Sequence, residues 1–234
     1  MALVVAAAAL VGCSGSTPAP DPEPTIPPGI TAPPPTVPPT EAPQIDSTLP
    51  AEIAGVDTSA WQQVPAVGDV ATFRIPPEWT VQPISGGVAV LRQDGQQQLA
   101  LTIAATGERP DATSCVDGTG TPVAWRTAML DRQDVELAGA PGMAFGAAAL
   151  QLGEQWVVSV GIRPAADAQS PRCPIVNGVE TPGGFLSFGS ETVVTGSGTG
   201  APWAVASLAA AEDYLGTDEY PTIRAILMSL ELLP

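Results

Sequence analysis

At 234 residues, the chain has room for one ordinary domain with a real core once a proline-rich N-terminal part is set aside. Its formal charge of −16, from 24 acidic against 8 basic side chains, argues against nucleic acid or anionic lipid held by a basic surface. Every basic residue is arginine and histidine is absent, which removes the commonest general base, the Ser-His and Cys-His nucleophile pairs and the commonest zinc ligand together.

The first element is an apolar run from Ala2 to Val11, well short of the roughly 20 residues a membrane-spanning helix needs but suited to the core of a signal peptide. Leu10-Val11-Gly12-Cys13 follows directly and resembles the bacterial lipobox. That resemblance implies a signal peptide over residues 1–12 and a diacylated Cys13 as mature N-terminus, held on the extracytoplasmic face of the cell membrane. Two acyl chains give stable anchoring where one binds only reversibly, since each buried CH2 contributes about 0.8 kcal/mol. Residues 1–11 carry none of the positive charge that opens most such leaders, and a start codon upstream of Met1 would account for that. The bias towards Ala, Gly, Pro and Arg resembles that of actinobacterial proteins.

Residues 13–50 contain 13 of the 27 prolines, few large apolar side chains and no arginine. Such a stretch cannot bury enough surface to fold, and is expected to be a disordered linker. Proline favours extended polyproline II at about 3.1 Å per residue, a reach on the order of 100 Å. The linker is therefore expected to act as a stand-off arm for a domain over residues 51–234.

Beyond Ala51 the pattern becomes short β-prone runs broken by turns. Strands are expected at Asp69–Ile75, Trp79–Ile84, Pro122–Ala128, Val135–Leu137, Met143–Leu152, Gln155–Arg163 and Phe185–Val194. Gly87–Arg92 and Gln96–Ala105 flank Gln93-Asp94-Gly95, and the Asp-Gly pair supplies the positive φ of a tight hairpin. Ser207 is placed to cap a helix running through Tyr214 and Leu215 and closing at Gly216. A second helix is expected after a cap at Thr217 or Asp218, with Pro221 in its first turn and Ile223, Ile226, Leu227 and Leu230 forming one apolar stripe. Many strands followed by terminal helices indicate a single α+β domain with a largely antiparallel sheet.

The run Ala71-Thr72-Phe73-Arg74-Ile75-Pro76-Pro77-Glu78-Trp79-Thr80-Val81 and the closing Ile223-Arg224-Ala225-Ile226-Leu227-Met228-Ser229-Leu230 are similar to the start and end of PsbP/Mog1-like domains. That likeness implies an antiparallel sheet between helices and a role in binding partners.

With Cys13 assigned to the anchor, Cys115 and Cys173 remain in a compartment that permits disulfides. A bridge across 58 positions would stabilise the fold by about 4 kcal/mol in the chain-entropy model. Gly196-Ser197-Gly198-Thr199-Gly200-Ala201 has the outline of a dinucleotide fingerprint but lacks a surrounding βαβ unit, and reads as a loop. Glu212-Asp213 and Asp218-Glu219 are sequence neighbours that cannot face each other across a cleft, and Asp111, Asp117 and Asp131 lack the spacing of a calcium loop. Trp61, Trp79, Trp125, Trp156 and Trp203 are candidates for ligand stacking as well as for packing.

The sequence thus points to a non-enzymatic cell-envelope lipoprotein without cofactor or metal, whose domain binds an envelope protein, glycan or lipid. A carrier for a small apolar ligand, held between sheet and helices, is the alternative.

Overall fold

A computed structural model describes residues 45–46, 55–105, 108, 115, 119–121, 123, 125–194 and 203–234. Cys13, most of the proline-rich segment, Asp111, Asp117 and the glycine-rich 195–201 lie outside the described residues.

The strands are β1 Ile45–Asp46, β2 Gln62–Val67, β3 Ala71–Ile75, β4 Thr80–Ile84, β5 Gly87–Leu91, β6 Gln97–Ala104, β7 Thr127–Leu137, β8 Ala140–Leu152 and β9 Gln155–Pro164. The short helix α1 Ala165–Gln169 precedes β10 Ile175–Val176, β11 Val179–Thr181, β12 Gly184–Gly189, β13 Val193–Val194 and β14 Ala204–Val205. Helices α2 Leu208–Tyr214 and α3 Glu219–Met228 and the strand β15 Glu231–Leu232 complete the chain.

One large sheet runs β1-β7-β8-β9-β12-β6-β5-β4, with β11 on β12 and β14 on β9; β15-β3-β2 and β10-β13 form two small sheets. All pairings are antiparallel except β1 on β7. The domain is therefore β-rich with a few helices, in agreement with the α+β reading. Ile45 and Asp46, counted in the linker by composition, instead pair with Ala128 and Met129 at the sheet edge.

The expected hairpin forms between β5 and β6, with Gly95 at φ 82° and the amide of Arg92 donating to the carbonyl of Gln96 at 2.9 Å. Other boundaries moved for local reasons. No strand covers the described part of Pro122–Ala128 before Thr127, because the amide of Val123 donates to Cys115 O at 2.8 Å and ties this segment to the disulfide loop. The expected strand at Val135–Leu137 is the end of the longer β7. Phe185–Val194 splits at Ser190, whose amide donates to Val160 O while its Oγ accepts from Val160 N.

Ser207 caps α2 as expected, its Oγ accepting from Ala210 N at 3.1 Å. Neither Thr217 nor Asp218 caps α3 with its side chain: Asp218 makes no cap hydrogen bond, and Thr217 Oγ1 donates backwards to Tyr214 O at 2.8 Å. Ile223, Ile226 and Leu227 of α3 are buried together with Tyr220, and Leu230, expected on the same stripe, is buried just past the end of the helix.

Strand alternation gives the large sheet two different faces. Phe145, Val158, Val160, Ile162, Leu186 and Phe188 join the main core with α2, α3 and the sheet β15-β3-β2, where Phe73 and Phe188 meet at 4.7 Å between ring centroids. On the other face Ala148, Leu150 and Val157 pack with Ile175, Val194 and Cys173 in a smaller cluster. The Cys115 and Cys173 sulfurs stand 2.12 Å apart, a bonding distance that closes this second face.

Candidate functional site

Two β-bulges, each of which adds one residue to a strand and re-aims its side chains, bring polar groups into the main core. In β6, Val90 pairs with Leu99 but Leu91 pairs with Gln97, leaving Gln98 as the extra residue. Strict alternation with Leu99 and Leu101 would send Gln97 inward; the bulge instead leaves Gln97 exposed and Gln98 at 4% exposure. In β7, Met129 pairs with Ala148 but Asp131 with Ala147, so Leu130 is the extra residue and both Leu130 and Asp131 are buried.

Gln98 lines a cavity of about 240 Å3 with Gln96, Val158, Trp203, Tyr214 and Glu219. Tyr214 meets Trp203 edge-on at 5.0 Å and Tyr220 edge-on at 5.6 Å, and Tyr220 lies 6.4 Å from Phe145, so the aromatic wall runs from the cavity into the core. At the rim, Glu219 accepts from Tyr214 Oη at 3.3 Å and pairs with Arg92, which also holds Asp94 and donates to Gln96 Oε1 at 2.9 Å. These bonds fix Glu219 and Gln96 from the outside. Among the described residues, Nε1 of the buried Trp203 has no hydrogen-bond partner. A buried indole N–H without a partner carries a desolvation cost that a hydrogen-bonding ligand relieves.

Below the cavity, Asp131 accepts from Tyr220 Oη at 2.9 Å and from Arg224 Nε at 3.0 Å, while Arg224 also reaches Gln133 and lies 5.7 Å over the ring of Phe145. Burial, then Glu219, raises the Tyr214 pKa; burial, then Asp131, raises that of Tyr220. Both phenols remain protonated donors. The exposed Asp94 carboxyl is held down to about 2, chiefly by its hydrogen bond from Arg92.

The sequence candidates separate accordingly. Trp203 reaches the cavity, whereas Trp79 is core, Trp61 packs against the core, Trp125 leans on the second face and Trp156 lies under the Arg126 guanidinium at 5.8 Å. Glu219 enters the site but its neighbour Asp218 is exposed, and Glu212 and Asp213 are no part of the cavity wall. No paired carboxylates face each other across the cavity. Asp131 is a buried structural acceptor. Gln98, Tyr214 and Tyr220 had no motif to announce them; only the bulge and the helix packing bring them together.

A second cavity, of about 450 Å3, opens where the β2-β3, β7-β8 and β11-β12 turns meet the chain end. Val70, Ala138, Pro182, Leu232 and Leu233 give it an apolar wall.

The fold and these cavities define a β-rich α+β domain with a polar, aromatic-walled recess. No protein-family model matches the chain, and no curated protein matches it in sequence. Among solved structures it is similar to the solution structure of cyanobacterial PsbP (CyanoP) from Synechocystis sp. PCC 6803, with 13% identity and a TM-score of 0.35 over 77% of this chain and 97% of that one. At that distance the likeness is a weak one of general architecture.

Proposed function

We propose that the chain is a cell-envelope lipoprotein, anchored through Cys13 on the extracytoplasmic face of the membrane, whose domain is a non-enzymatic binding module for a neutral glycan. The Gln98 recess carries this reading. Two aromatic rings give apolar walls, Gln96, Gln98 and Glu219 supply amide and carboxylate groups, and a polyhydroxylated ligand can satisfy both kinds of surface at once. The chain's charge of −16 favours a neutral saccharide over an acidic one.

Isothermal titration of the mature protein against a panel of neutral and acidic oligosaccharides tests the ligand. Saturable binding of a neutral glycan that disappears in Gln98→Leu supports the reading, and turnover of any panel member contradicts it. Intact-mass analysis of the membrane fraction tests the address: a mature chain beginning at an acylated Cys13 is expected, and an unacylated Cys13 refutes the anchor.

The apolar cavity beside Leu233 favours a second reading, a carrier for a small apolar ligand. Displacement of an apolar fluorophore that is blocked by Leu232→Glu but not by Gln98→Leu would decide for it.

A further inference from the structure

Two of the polar residues in the recess wall, Gln96 and Glu219, hang on one side chain. Arg92, the residue after β5, donates through Nη1 to Glu219 Oε2 and through Nη2 to Asp94 Oδ2 and, at 2.9 Å, to Gln96 Oε1. Its Nε donates to Asp94 Oδ1 at 3.2 Å, and the same oxygen accepts from the Gln96 backbone amide at 3.0 Å. The β5-β6 turn thus closes on its own arginine, and from there the guanidinium reaches the first residue of α3.

That arrangement decides what each wall residue can offer a ligand. A guanidinium has donors only, so the Gln96 atom that faces it is the oxygen, and the end of this amide left for a ligand is Nε2, a donor. Glu219 meets Arg92 with Oε2 and the Tyr214 phenol with Oε1, which fixes the orientation of an acceptor. Nη1 and Nη2 are neighbours on one planar group, so the carboxylate and the amide that they hold are neighbours too. Stability alone is a weak reason for such a hub: the side chains of Arg92 and Asp94 are 36% and 53% exposed, and exposed ion pairs contribute little to folding.

We propose that Arg92 is the positioning residue of the recess, setting Gln96 as donor beside Glu219 as acceptor so that the two recognise a vicinal diol of a neutral sugar. This rests on the glycan reading of the recess and narrows it. Each ring hydroxyl both donates and accepts, so of two adjacent hydroxyls one donates to Glu219 and its neighbour accepts from Gln96. Asp94 acts one step removed, by holding Nε and Nη2 of the arginine.

The test is calorimetric titration of the mature chain with neutral trisaccharides of glucose, mannose and galactose, and with counterparts in which one hydroxyl of an adjacent pair is replaced by hydrogen. In the parent protein a deoxy counterpart should bind at least about tenfold more weakly, through loss of a hydrogen bond to a charged acceptor or to the amide beside it. Arg92→Leu should weaken the intact sugar by a similar factor and bind intact and deoxy sugars equally, while melting close to the parent temperature. Arg92→Lys, which keeps a charge for Glu219 but not the fork that also holds Gln96, should fall between the two. Should Arg92→Leu fail to fold, Asp94→Asn, a change at an exposed position that loosens the arginine, should show the same loss of discrimination in weaker form, and an unchanged deoxy penalty there decides against the proposal. Undiminished affinity in Arg92→Leu, a deoxy penalty of the same size in parent and variant, or no deoxy penalty in the parent would overturn it while leaving the glycan reading intact. Absence of binding of every trisaccharide by the parent would overturn both.

Discussion

The phenol of Tyr220, in the first turn of α3, donates to Asp131 Oδ2 at 2.9 Å across 89 positions of sequence, joining the helix to the bulge in β7. Arg224, four residues further along α3, donates to the same oxygen at 3.0 Å, so one buried carboxylate holds two successive turns of the helix. Tyr220→Phe keeps the ring and removes one hydrogen bond to a charged acceptor, and should cost about 1.5–3 kcal/mol in urea unfolding. Asp131→Ala should cost more, because it strands both donors. A cost below that of Tyr220→Phe would mean that the network does not stabilise α3.

The chain has only two tyrosines, and both belong to this cluster. Each has a folded pKa raised above the unfolded value of 10.0. The unfolded chain therefore loses these protons first as pH rises, and stability that is fully present below pH 10 falls above it. Arg163 acts in the opposite sense, since its folded value near 10 lies below 12.5. Two raised groups against one lowered group give a net loss. Absorbance of tyrosinate near 295 nm should appear together with unfolding; its appearance in a still-folded protein would show that the rings are less buried than described.

Gln98 separates binding from stability. Its side chain is 4% exposed and lines the recess, so Gln98→Leu, which fills the same space with apolar atoms, should leave thermal stability unchanged or raise it by about 1 kcal/mol. A loss of more than that in calorimetry would show that the amide already has an internal partner.

The Cys115–Cys173 bridge spans a separation of 58 residues and closes the second face over Ile175 and Val194. Replacing both cysteines by alanine should lower unfolding free energy by about 4 kcal/mol in the chain-entropy model. An unchanged unfolding midpoint under reducing conditions would contradict that contribution.

Much of this architecture is legible locally. Asp94-Gly95 announced the β5-β6 hairpin, Ser207 announced the start of α2, and the spacing of Ile223, Ile226, Leu227 and Leu230 announced the buried face of α3. The recess was not legible, because period-two alternation assigns Gln97 to the interior and only the bulge exchanges it for Gln98. Asp131 read as one acid among many, since its partners Tyr220 and Arg224 arrive from the far end of the chain. Arg163 likewise stands next to the last residue of β9, and nothing local marks it as buried.

The most direct test of the glycan-binding account is paired calorimetry of the mature protein and its Gln98→Leu variant with neutral oligosaccharides. The account predicts one saturable site in the parent chain, no binding in the variant, and equal or higher melting temperature for the variant. Equal binding by both proteins, or no neutral glycan bound by either, would contradict it.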